Sequence, residues 1–298
     1  MTALPSLKQL HYLVALSEQL NFTRAAESCF VTQSSLSAGL KELEEVLGAR
    51  LVERDRQKVL MTPLGLEITK RARTILAATQ DLVEIVAGAA APMTGLLRLG
   101  VIPTIAPFLL PGLLHHLQEH YPALRLVLRE DLTANLLSRL DDGQLDFALI
   151  ALPYDTDNFL TEPLFDDNLW VVGLKGDPDV KAETVNVTPS LADRLLLLEE
   201  GHCLREHSLY ACGSPTRRSA EGVEATSLLT LVMMIESGFG IGLVPEMAIN
   251  KGLTQSPRLI ARSMTKPSPK RTIALVARRS TSRLADLKAL AEVIRQVA

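Results

Sequence analysis

Along the first third of the chain, apolar positions recur at helical spacing. In LKQLHYLVALSEQL they fall at Leu10, Leu13, Val14 and Leu16, close to one stripe of a helix. NFTRAAESCF predicts a second helix, with Thr23 as its cap and Glu27 four residues on. VTQSSLSAGLKELEEVLG predicts a third: Thr32 is the N-cap, and Leu36, Leu40, Leu43 and Leu47 recur at spacings of four, three and four. Only a short turn separates the second and third helices. Two short helices with a tight turn, the latter polar on one face, form a helix-turn-helix pattern.

ARLVERDRQKVLMTPLG then sets Arg50, Arg54, Arg56 and Lys58 around two short apolar runs, which predicts a two-stranded wing with a basic tip; a plain solvated hairpin is the alternative. In the following stretch Ile68, Ala72, Ile75, Thr79, Leu82 and Val86 step by four and three, an apolar seam with one polar break. A lone helix cannot bury such a seam, so it pairs either with a second subunit or with its own chain. APMTG, Ala91 to Gly95, reads as a linker. From Leu96 on, strand patterns (LLRLGV, LRLVLRE, LDFALIAL, LWVVGL, LLLLEE, GIGLVP, RTIALVAR) alternate with helical ones (PFLLPGLLHHLQEHYP, LTANLLSRLDDG). That alternation predicts α/β architecture with mostly parallel sheets, long enough for two linked lobes. Ligands in such sheets sit at strand carboxyl ends and lobe junctions.

Composition narrows the picture. The 298 residues suit about two domains at roughly 150 residues each. With 47% hydrophobic and 22% charged residues the chain can build globular cores. A net charge of −3 gives no general pull toward nucleic acid. Residues 1–65 carry seven Lys and Arg against seven Asp and Glu, so phosphate contacts there depend on arrangement rather than bulk charge. The N-terminus lacks a signal-peptide pattern and no apolar run is of membrane-spanning length, so a cytoplasmic protein without a membrane partner is expected. Three cysteines do not make a secreted disulfide scaffold.

Two of those cysteines stand in EEGHCLREHSLYACG, Glu199 to Gly213, with His202 directly before Cys203 and His207 five residues before Cys212. A zinc site from Cys203, His207 and Cys212 fits no common ligand spacing and has no evident fourth ligand. Buried structural thiols, a thiol peroxidase and a redox sensor stay open. His116 and His120, four apart on a predicted helix, read as a solvated helical face, and Cys29 and Trp170 as core residues. The glycines of ESGFGIGLVP lack the Gly-Lys-Ser/Thr of a phosphate loop.

A longer pattern decides among these. Phe22, Ala25-Ala26, Gln33, Ser34, Leu36, Ser37, Leu43-Glu44, Leu47-Gly48, Leu51, Glu53-Arg54, Leu60, Thr62-Pro63 and Gly65 resemble the DNA-binding signature of the LysR-type transcriptional regulators. The chain departs from it at Val52, where Phe is usual, and at Ser35, where Pro is common. Gly201-His202-Cys203-Leu204-Arg205, with Cys212 nine residues beyond the first cysteine, resembles the peroxide-sensing OxyR branch, as do IPT at Ile102 to Thr104, LT at Leu132-Thr133 and KPSPKRTIALV at Lys266 to Val276. Glu206 stands where the branch often has Asp.

The resemblance implies a winged helix-turn-helix over residues 1–65, a linker and dimerisation helix over 66–90, and a two-lobed, periplasmic-binding-protein-like α/β regulatory domain over 91–298. It implies that Thr32, Gln33, Ser34, Ser35, Ser37 and Lys41 face double-stranded promoter DNA, with Arg50, Arg54 and Arg56 on phosphates. Cys203 would react with hydrogen peroxide and Cys212 would resolve the product, in a pocket of Thr104, Thr133, His202, Arg205, Glu206 and Arg271. Thiolate reactivity asks for a lowered pKa, expected here from a helix N-terminus and from Arg205 and His202. A homotetramer, RNA polymerase and a thiol reductant such as a glutaredoxin are the implied partners, with no cofactor and no metal. A metabolite-controlled regulator with incidental cysteines is the competing expectation.

Overall fold

A computed structural model describes residues 4–54, 59–87, 92–186, 188–213, 223–266 and 268–298. Two compact units divide the chain, one holding Met1–Ala89 and the other Ala90–Leu140 with Leu145–Ala298.

The first unit is helical. α1 (Leu7–Gln19) starts at a capping box between Ser6 and Gln9 and buries Leu10, Leu13 and Leu16. α2 (Phe22–Ser28) is capped by Asn21, whose side chain accepts from the Arg24 N–H. The expected cap, Thr23, lies inside the helix instead and its hydroxyl donates to the Gln33 side chain at 3.3 Å. α3 (Gln33–Leu47) is capped by Thr32 as expected and buries Leu36, Leu40 and Leu43, leaving Leu47 exposed. β1 (Val52–Arg54) and β2 (Val59–Met61) pair antiparallel as the wing. Arg56 and Lys58 of its expected tip lie outside the described residues, as do the side chains of Arg54 and Val86. α4 (Pro63–Ala87) follows, splitting its seam: Ala72 is buried in this unit's own core with Ile68 against it, whereas Ile75 and Leu82 are exposed.

The second unit starts where a linker was expected. Ala91 lies outside the described residues, but Met93 is buried, its N–H donating to the Asp286 carboxylate. Arg283 donates to the carbonyls of Thr94 and Leu96. The segment is thus fixed rather than free. Next come β3 (Gly95–Val101), α5 (Ala106–His120), β4 (Leu124–Glu130), α6 (Thr133–Asp141), β5 (Phe147–Leu152) and the 16-residue β6 (Phe159–Leu174). Then follow β7 (Thr184–Val185), α7 (Pro189–Asp193), β8 (Leu197–Leu198), α8 (Cys203–Ala211), β9 (Glu224–Ala225) and α9 (Leu228–Glu236). β10 (Gly242–Pro245), α10 (Glu246–Asn250), β11 (Leu259–Met264), β12 (Lys270–Arg278) and α11 (Leu284–Val297) complete it.

The main sheet runs β4-β3-β5-β12-β6-β11-β7, with β10 also on β6. It is mixed, which corrects the expectation of mostly parallel strands. β3 pairs parallel with β4 and β5, but β12 is antiparallel to β5 and β6, and β10 and β11 are antiparallel to β6. Ile273 to Ala277 are all buried, which suits β12 to its central position between β5 and β6, where it runs antiparallel to both. LLLLEE keeps only two strand residues, although Leu195, Leu196, Leu197 and Leu198 are all buried. Trp170 is half-buried.

Two apolar cores result. The first gathers β3, β5, α5, α6, β12 and α11; the second gathers the end of β6 with β8, α9, β10 and β11. β6 runs through both, so the expected two lobes share a strand. The glycines of ESGFGIGLVP serve packing: a Cβ at Gly240 would lie 2.4 Å from the Arg194 carbonyl oxygen.

Candidate functional site

A narrow cleft lies at the carboxyl ends of β3 and β4, where α/β sheets place their ligands. Ile102, Pro103 and Thr104 follow β3, Leu132 and Thr133 follow β4, and Gly201, His202 and Cys203 close the third side; the empty space is about 160 Å³. Gly201 has a φ of +96° and passes so close to Leu132 that a side chain would be crowded as well as strained.

Cys203 is the first residue of α8, with His202 at the N-cap. It is buried in the first core, whereas Leu204, Leu209 and Cys212 of the same segment belong to the second. Arg271 is fully buried beside it. The antiparallel register of β12 on β6 sets Arg271 directly opposite Asp167, and Nε and Nη2 donate to that carboxylate at 3.0 and 2.9 Å. Nη1 donates to the Thr104 hydroxyl at 2.7 Å and Nη2 to its carbonyl at 3.1 Å. Asp167 is the site residue that sequence reading missed. Its only signal was an acidic residue on a strand, and the register that pairs it with Arg271 joins positions 104 apart in sequence.

Burial pushes the Cys203 thiol above its ordinary pKa. The charge of Arg271, the Thr133 hydroxyl and the N–H groups of Leu204 and Cys203 pull the other way without overcoming it. The expected lowering is therefore corrected: desolvation wins in this state. Thr133 is buried beside the thiol. Burial also holds His202 below its ordinary value, opposed by Glu199 and a backbone group of Thr226. Cys212 is pushed up to about 11 by burial.

Two expected pocket residues are elsewhere. The Arg205 guanidinium turns away from the thiol, donating to Glu224 at 2.6 Å and to the Leu198 carbonyl at 2.7 Å. It is Arg271, not Arg205, that supplies positive charge. Glu206 is exposed in the first turn of α8, where a carboxylate suits the helix dipole and does not line the cleft. His207, four residues after Cys203, is buried instead; its Nε2 lies 3.4 Å from the Pro153 carbonyl and its Nδ1 is unpaired among the described residues.

At the other unit, Gln33, Ser34 and Ser35 are exposed at the start of α3, opposite Leu36, Leu40 and Leu43, and Ser37 is half-buried. The Thr32 hydroxyl accepts from the Ser35 N–H at 3.2 Å, and Lys41 pairs with Glu45 at 3.5 Å on an open face. Arg50 is exposed. Cys29 caps the end of α2, half-buried. His116 and His120 stack at 4.2 Å between ring centroids, and no cluster of three or more metal-binding side chains exists among the described residues. None of the described helices is long and apolar enough to cross a membrane.

This winged helix pair and two-lobed sheet define a class of bacterial transcriptional regulator. The lysR-family regulatory helix-turn-helix model matches residues 7–66, and the LysR substrate binding domain model matches residues 90–298. The chain belongs to the LysR family, a family of regulators rather than of enzymes. Within it the chain is OxyR-like. It is 37% identical to the DNA-binding transcriptional dual regulator OxyR of Escherichia coli K12, over 97% of this chain and 95% of that one. It is 38% identical to a probable hydrogen peroxide-inducible genes activator of Streptomyces viridosporus, covering 98% and 94%. It is also 43% identical to the HTH-type transcriptional regulator EstR of Acinetobacter baylyi, covering 100% and 98%. A full-length OxyR variant from Pseudomonas aeruginosa superposes with a TM-score of 0.82 at 33% identity, covering 99% of each chain. A hydrogen-peroxide-bound OxyR variant from Corynebacterium glutamicum gives 0.67 at 32%, covering 100% and 94%.

Proposed function

We propose that this regulator senses hydrogen peroxide through Cys203 and converts the oxidation into a Cys203–Cys212 disulfide that alters promoter binding. The observation that carries the reading is the cleft itself: a buried thiol at a helix N-terminus, beside a buried arginine and the buried Thr133 hydroxyl. In the first step the Cys203 sulfur attacks one peroxide oxygen, the O–O bond breaks, and the thiol proton leaves with the other oxygen as water. The product is a sulfenic acid. Thr104, Thr133 and His202 are the groups that would orient the peroxide, and Arg271 would stabilise the departing oxygen. In the second step the Cys212 sulfur attacks the Cys203 sulfur, the S–O bond of the sulfenic acid breaks, and its hydroxyl leaves with the Cys212 proton as a second water, so that a disulfide remains.

A sulfenic acid is polar, and Cys203 sits in an apolar core, so oxidation makes the first turn of α8 costly to keep in place. Release of that turn frees the chain to rearrange. We place Gln33, Ser34, Ser35 and Ser37 at base edges, and Lys41, Arg50, Arg54 and Arg56 at phosphates. Exposed Ile75 and Leu82 support pairing of α4 with a second copy, and a dimer of such dimers would present four DNA-binding units to the promoter. RNA polymerase would be its partner at oxidative-stress genes, and a dithiol reductant of the glutaredoxin kind would reset the switch.

The test is a footprint on promoter DNA with thiol counting. Peroxide should remove two thiols per chain and change the footprint, and Cys203→Ser should block both effects. A Cys203→Ser protein that still switches in peroxide would sink the reading.

A further inference from the structure

The turn of the helix pair holds a residue that its own chain gives little reason to keep. After α2 the Phe30 N–H donates to the Glu27 carbonyl and the Val31 N–H to the Ala26 carbonyl, at 3.1 and 3.0 Å. These two bonds form a Schellman ending, with Phe30 in its left-handed position at φ +55°. Glycine, or sometimes asparagine, normally takes that position, because a bulky side chain there is strained. Yet the chain has phenylalanine, and its ring is 96% exposed. Val31 supplies the apolar contact of this ending by packing on the core, so the Phe30 ring is not needed for it. The ring therefore carries two disfavoured features at once, strain and exposure, with no internal packing to offset them.

Its position supplies the reason. Phe30 lies two residues before the Thr32 cap of α3 and three before exposed Gln33. The Thr23 and Gln33 side chains bond each other across the same turn. We propose that Phe30 is a DNA-contacting residue that packs its ring on a thymine methyl group in the major groove, next to the base edges met by Gln33 and Ser34. Thymine is the base that offers an apolar group there, and phenylalanine is among the side chains suited to it. This rests on the reading that the start of α3 enters the groove.

The experiment uses the full chain and duplex sites that it selects from a random-sequence library. Phe30→Gly should weaken binding to those sites by roughly tenfold, the scale expected for half-burying an aromatic ring, without lowering the thermal midpoint, because glycine relieves the turn. Replacing thymine by uracil in the site should weaken the unaltered protein similarly and leave Phe30→Gly unaffected. Ser34→Ala serves as the groove control. If Ser34→Ala weakens binding and Phe30→Gly does not, the inference fails while the groove reading stands. If neither variant weakens binding, both fail. A lowered midpoint in Phe30→Gly, or a loss indifferent to the thymine methyl, also overturns the inference.

Discussion

Cys203 and Cys212 stand at opposite ends of one helix, with one thiol in each of the two apolar cores of the regulatory unit. They are nine residues apart, which on a continuous helix is about 13.5 Å of rise and about 900° of rotation. A disulfide needs Cα atoms within about 7 Å. The bond and the helix exclude each other, and at least one of the two thiols must also leave its core. Oxidation should therefore strip amide exchange protection from Cys203–Ala211 while α5 keeps its own. Hydrogen exchange on reduced and peroxide-treated protein measures this, and a Cys212→Ser protein should retain most of the protection at the end of α8. Unchanged protection across α8 in oxidised protein would mean that no such bond forms within the chain.

The ion pair of Arg271 and Asp167 is almost fully buried. Removing one partner leaves the other charge stranded, a cost of about 3–5 kcal/mol. Asp167→Ala and Arg271→Ala should each destabilise on that scale in denaturant titrations, and the double variant should cost clearly less than their sum. Additive losses would show that the two residues act separately. The Thr104 bonds depend on Arg271, so the arginine variant should also lose reactivity at Cys203.

Cys203 and Cys212 both have raised pKa values, which sets the direction of the pH dependence. A thiol raised in the fold is protonated more tightly there than in the unfolded chain. Its stabilising share is complete below the unfolded pKa and is lost as pH rises through the folded one. For Cys212 that window runs from an unfolded value of roughly 8.5 up to about 11. Stability of the reduced protein should fall across this window, and less steeply in Cys212→Ser. Alkylation of Cys203 should keep accelerating above the free-cysteine value rather than level off near neutrality. A plateau at neutral pH would show a thiolate already present.

Ile75 and Leu82 are 47% and 63% exposed on α4. Glutamate at both positions should convert dimers to monomers in sedimentation experiments, with the thermal midpoint of the DNA-binding unit unchanged. Loss of the midpoint instead would place these side chains in the unit's own core.

Local patterns read well because their causes are local. The α3 cap at Thr32 and the burial of Leu36, Leu40 and Leu43 follow from spacing alone. So do the strand positions of LLRLGV and RTIALVAR, but not their directions. The antiparallel place of β12 depends on a strand arriving from the far end of the chain. The site divides in the same way. Cys203, His202, Thr104 and Thr133 were legible from short motifs and do meet at the cleft. Arg205 and Glu206 were adjacent in sequence and point elsewhere, because a helix turns neighbours by about 100° each. Asp167 reaches the site only through sheet register. The direction of the Cys203 pKa shift is not legible in sequence, because burial is a property of the tertiary fold, and here it outweighs the nearby charge and donors.

In response to peroxide, Cys203 and Cys212 should form one bond. Mass spectrometry of the peptides that carry them, digested under acid trapping before and after a stoichiometric peroxide pulse, tests it most directly. The predicted result is a Cys203–Cys212 cross-linked species two hydrogens lighter than the reduced pair, present only after the pulse and absent in Cys203→Ser. Two free thiols after the pulse, in protein whose promoter footprint has nevertheless changed, would contradict it.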